Sequence, residues 1–120
     1  MLNGNIKEFE DLAILKMTRE IVIDIYTILT MCKDYGFRDQ ISRAGISIMN
    51  NISEGFGRTA DADFRKFPGI SKGSASEARS MFYIAEDLGY MSKESAFEMR
   101  EKLQKLINSI GTFMKYLKSS

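Results

Sequence analysis

The chain of 120 residues has no histidine and no tryptophan, one cysteine and one proline. Without histidine it lacks the commonest general base and the commonest transition-metal ligand. A di-iron carboxylate centre of the kind found in four-helix bundles is excluded too, because it needs Glu-x-x-His pairs. The single cysteine, Cys32, excludes an internal disulfide. It lies beside Ile28, Leu29 and Met31 and reads as a buried thiol with no basic group placed to activate it. Excess charge of one sign is also missing, since 17 basic and 16 acidic residues leave a net charge of +1. A protein that grips nucleic acid mainly through phosphates shows a clear basic excess. No apolar run reaches membrane-spanning length, and the polar, acidic N-terminus is unlike a signal peptide. A cytoplasmic protein with no membrane association is the expectation.

The residues present describe an ordinary globular chain, 44% hydrophobic and 28% charged, long enough for one domain spanning 1–120 with a single core. Apolar spacing predicts four helices. The first runs from about Glu8 to Cys32, with a narrow polar stripe of Lys16, Glu20, Asp24 and Thr27. Nearly everything else from Leu12 to Met31 is apolar, which suggests burial on two sides, one against the bundle and one against another subunit. Lys33–Gly36 is read as a turn, with Gly36 ending the first helix, and the second runs from about Arg38 to Gly55 or Arg58. The third, capped by Thr59 or Asp61, extends to about Leu88 along a seam of Phe64, Phe67, Ser71, Ser74, Ala78, Met81, Ala85 and Leu88. Pro68 falls inside it, so a kink or short break is expected between Phe67 and Ile70. Gly89 then serves as C-cap and Ser92 as N-cap of the fourth helix, whose seam is Ala96, Met99, Leu103, Leu106, Ile110, Phe113 and Leu117. Four long helices joined by short loops pack as an antiparallel up-down-up-down bundle, an all-α fold.

The segment from Gln40 to Arg58 has two incompatible faces. Ile41, Gly45, Ile48, Ile52 and Phe56 share one side, and Arg43, Ser47, Asn51, Glu54 and Arg58 share the other. Its pattern Gln-x-x-Arg-Ala-x-x-Ser-Ile-x-x-Asn-Ile-x-Glu-Gly-x-Gly-Arg resembles the signature of the four-helix-bundle proteins encoded in intervening sequences of 23S ribosomal RNA genes. Phe9-Glu10-Asp11-Leu12, Gly73-Ser74-Ala75-Ser76-Glu77 and Leu88-Gly89-Tyr90 fit the same resemblance in the right order, so it covers nearly the whole chain. The Pro68-Gly69 pair departs from the pattern. The resemblance implies a homo-oligomeric ring, with a pentamer favoured. It extends to the accessory variability determinant of diversity-generating retroelements, a basic pentameric barrel that works with a reverse transcriptase and nucleic acid.

Glu54 and Glu77 are the only acids inside the motif segments of the second and third helices. With no nucleophile–base pair beside them, they read as hydrogen-bond acceptors rather than catalysts. The expectation is a structural polar network of Arg43, Ser47, Asn51, Glu54, Ser74 and Glu77, with no catalytic, cofactor or metal residue. Gly55-Phe56-Gly57-Arg58 follows a helix, not a strand, and reads as a helix terminator rather than a phosphate loop. Arg100, Lys102, Lys105, Lys115 and Lys118 on the fourth helix are the candidate nucleic-acid contacts, though they spread around the helix instead of forming a stripe. The favoured function is a non-enzymatic interaction or scaffold protein whose partner is itself. The alternative is an accessory protein that binds nucleic acid or a reverse transcriptase.

Overall fold

The computed structural model describes residues 2–57 and 66–119, with side chains placed over 13–56 and 66–115. Four helices follow one another: α1 Leu2–Ile28, α2 Tyr35–Gly57, α3 Lys66–Asp87 and α4 Lys93–Ser119. Each packs against its neighbour in sequence, and α4 closes back on α1. The pairings run in opposite directions: Ser47 meets Ser74 while Ile48 meets Ser71, and Asp24 of α1 pairs with Lys102 of α4. The result is the expected antiparallel bundle, 49 × 23 × 18 Å in extent.

Its core follows the apolar spacing. Ile14, Ile21, Ile25 and Leu29 of α1 meet Ile41, Ile48 and Ile52 of α2, with Leu103, Leu106, Ile110 and Phe113 of α4 opposite. Gly45 lets α2 approach α1, because a Cβ there would stand 3.1 Å from Ile25 Cδ1. Thr18 is fully buried, and its hydroxyl donates to the Ile14 carbonyl at 2.8 Å. Phe56 meets Phe113 edge-on at 5.2 Å.

Local chemistry moves several boundaries. Gly36 does not end α1. Asp34 caps α2 by accepting the Phe37 N–H at 3.1 Å, which draws Gly36 into the first turn of α2. Cys32 is half-buried rather than buried. The end of α3 does follow the expectation: Gly89 takes φ +73°, Tyr90 N–H bonds the Ala85 carbonyl, and Gly89 N–H bonds that of Glu86. That is a Schellman motif, and it carries Leu88 off the helical seam, leaving it 56% exposed. Ser92 caps α4 by accepting the Ser95 N–H at 3.1 Å.

The break expected between Phe67 and Ile70 is not found, and helix is continuous from Lys66. Pro68 is carried within that helix and is buried. Phe64, Thr59, Asp61 and Arg58 lie outside the described residues, as do the side chains of Leu117 and of Phe9 to Leu12. Inside α3 the seam also recruits Ala75 and Phe82, both fully buried.

Candidate functional site

Short polar side chains join α2 to α3. Ser71 is fully buried, and its hydroxyl donates to the Ile48 carbonyl at 2.8 Å. One turn on, the hydroxyls of Ser47 and Ser74 are 2.8 Å apart. The Asn51 amide donates to the Ser47 carbonyl at 2.9 Å and to its hydroxyl at 3.2 Å. Three of the six anticipated network residues, Ser47, Asn51 and Ser74, therefore meet, and Ser71 lies beside them. Arg43, Glu54 and Glu77 are exposed. Among the described residues none of these three bonds to Ser47, Asn51 or Ser74.

Arg43 faces outward instead, into a shallow groove of about 810 Å³ over the outer side of α2 and its junction with α1. It is lined by Tyr26 of α1, by Thr30 just beyond that helix, and by Arg38, Ser42, Ile46 and Asn50 of α2. Tyr26 is 52% exposed and Ile46 39%. Arg38 lies 4.9 Å over the Tyr35 ring. No lysine occurs anywhere in α2.

Two of the α4 cations are tied to carboxylates of neighbouring helices. Lys102 pairs with Asp24 at 2.7 Å, and that hydrogen bond raises its pKa. Arg100 is buried and salt-bridged to Glu86 at 3.0 Å, with its guanidinium 4.1 Å from the Tyr83 ring centroid. Lys105 and Lys115 are exposed, and the Lys118 side chain lies outside the described residues. Sequence reasoning placed Arg100 outside the α4 seam. The available signal was its position next to seam residue Met99, within reach of an acid on a neighbouring helix.

At one end of the bundle the two short connections are tied together. The Tyr90 hydroxyl donates to Asp34 Oδ2 at 2.6 Å, and the Tyr90 ring meets Phe37 edge-on at 5.3 Å. The shared hydrogen bond pushes the Tyr90 phenol up to about 12 and, together with the Phe37 N–H, holds Asp34 below the usual carboxylate value. Among the described residues no group of three or more Cys, Asp or Glu could hold a metal ion. No described helix is long and apolar enough to cross a membrane.

The family model of the 23S rRNA-intervening sequence protein matches residues 10–112. Among solved structures, the chain is similar to a protein with unknown function from the S23 ribosomal protein family of Bacteroides thetaiotaomicron. The two share 20% identity over 88% of this chain and 98% of that one, with a TM-score of 0.81. This likeness concerns the fold. Among curated proteins no sequence matches.

Proposed function

The chain belongs to the 23S rRNA-intervening sequence protein family, and from that premise we propose that it acts without catalysis, as a self-assembling interaction scaffold. The outer face of α2 is the observation that carries this reading. It combines exposed Tyr26, Tyr35 and Ile46 with two arginines and no lysine. A solvated helix face is normally rich in Lys and Glu, whereas interfaces are depleted in Lys and enriched in Tyr and Arg. The exposed Ile23 extends the apolar surface along α1. A ring is the assembly this supports, and the resemblance to the pentameric retroelement accessory protein makes five copies the first number to test. Light scattering coupled to size-exclusion chromatography decides the matter: a stable monomer at micromolar concentration would refute the scaffold.

Nucleic-acid binding through α4 is the second reading, supported by exposed Lys105. Arg100 and Lys102 contribute less than the sequence suggests, because each is already paired. An anisotropy titration at two salt concentrations tests it, since phosphate contacts must weaken steeply with salt.

A further inference from the structure

We propose that the α3–α4 face is a docking site for an acidic segment of a partner protein. Arg79 takes a carboxylate, and Tyr83 holds an apolar or aromatic side chain beside it. This goes beyond the self-assembly reading and does not depend on it, because it uses the other side of the bundle.

The charge balance of the face is the first argument. Arg100 and Arg79 approach the same Tyr83 ring, their guanidinium carbons 4.1 and 5.7 Å from its centroid. Glu86 is engaged with Arg100 at 3.0 Å. Among the described residues no carboxylate pairs with Arg79, so one positive charge is left over beside an aromatic surface.

The state of Arg79 is the second. Its Nε is buried and has no hydrogen-bond partner. Buried donors are rarely left unpaired, and one that is unpaired destabilises the arrangement that leaves it so. Turning the guanidinium so that Nε and one terminal nitrogen face outward breaks no hydrogen bond. It presents the planar two-donor edge that a carboxylate accepts in bidentate fashion.

The third argument is what flanks the cation. Tyr83 is 47% exposed. Tyrosine and arginine are the residue types that most often dominate protein–protein binding energy. Arg100 is locked beneath the Tyr83 ring, so that anchor is already ordered and loses little freedom on binding. A nucleic-acid strand fits less well. It needs successive cations, whereas this face offers one open guanidinium, a nearby Glu86 and a chain of net charge +1.

The test is an NMR titration of the full chain that follows the Nε–H resonance of Arg79 and the ring resonances of Tyr83. Three probes are used: the amidated hexapeptide Gly-Ser-Phe-Glu-Ser-Gly, its Phe-Gln counterpart, and adenosine monophosphate. A saturable shift at both residues with the Phe-Glu peptide is expected, with binding weakened about tenfold or more by the Gln replacement and by Arg79→Gln. Arg79→Lys should retain part of the affinity, because it keeps the charge and loses the fork. Arg79 is half-exposed, and an otherwise unchanged spectrum verifies that the variants fold. Equal binding of the two peptides would overturn the proposal, as would no saturable shift with the Phe-Glu peptide. Tighter binding of adenosine monophosphate than of the peptide would overturn it in favour of a nucleotide site.

Discussion

Ser71 holds a hydroxyl where no water can reach it, and its one acceptor is a backbone carbonyl of another helix. Replacing it with alanine removes that bond but leaves the Ile48 carbonyl within its own helical ladder. We expect Ser71→Ala to lower stability by about 1 kcal/mol, read from the urea midpoint. Tyr90 and Asp34 make a pH-dependent contribution instead. Asp34 is depressed in the fold, so its share of stability is present above its ordinary value of 3.8 and is lost as pH falls through the folded value. Tyr90 is raised from 10.0 to about 12, so its share is complete below 10 and is lost as pH climbs from 10 to 12. Tyr90→Phe should shrink the alkaline slope to the part that Lys102 contributes through Asp24. It should also shrink the acid one without removing it, because the Phe37 N–H still binds Asp34. Denaturation midpoints measured across pH check both halves, and an unaltered alkaline slope would mean that the hydroxyl is not held in solution. At this scale the meeting of Ser47 with Ser74 was legible, because helical periodicity alone gathers short polar residues on one side. Arg43, Glu54 and Glu77 were grouped with them by the same periodicity. A wheel gives the direction of a side chain but not its length, and these longer side chains stand in solvent.

Among the elements, α3 shows how far pattern carries and where it stops. The seams of α2 and α4 came directly from apolar spacing, since those faces contain few exceptions. In α3 small residues are spread around the helix, so Phe82 and Ala75 were not separable from the outer positions. The expected start at Thr59 or Asp61 lies outside the described residues, but the break expected at Pro68 does not occur, since helix is continuous from Lys66 through it. Gly36 was misread because a capping Asp34 outweighs a glycine as a boundary signal. Two glycines of this region should respond oppositely to alanine. Gly73 is exposed inside α3, with nothing within 4 Å of an added Cβ, so Gly73→Ala should stabilise the protein by roughly 0.5–1 kcal/mol. Gly89 has equally open space but sits at φ +73°, so Gly89→Ala should destabilise by about 1 kcal/mol. Thermal melts of the two variants should shift in opposite directions, and shifts of the same sign would show that backbone conformation is not the deciding factor.

For the whole molecule, the strongest expectation concerns assembly. A Tyr26→Lys, Ile46→Lys double variant places two charges on the lysine-free face without touching the core. It should reduce the mass measured by light scattering while leaving the helical circular dichroism unchanged. If the mass is unaffected, the interface lies elsewhere. The closure of the bundle has a further, kinetic consequence. Among the described residues every helix contact except one joins neighbours in sequence, the exception being α4 against α1. Forming that last contact requires the longest loop to close, for example to bring Asp24 to Lys102. The α2–α3 hairpin, with its close serine contacts, is therefore the natural nucleus, and docking of α1 onto α4 the late step. In a stopped-flow chevron, Ala75→Gly in the hairpin should chiefly slow folding, whereas Ile14→Val in α1 should chiefly speed unfolding. The order in which the bundle assembles is thus already written into which of its walls joins the first helix to the last.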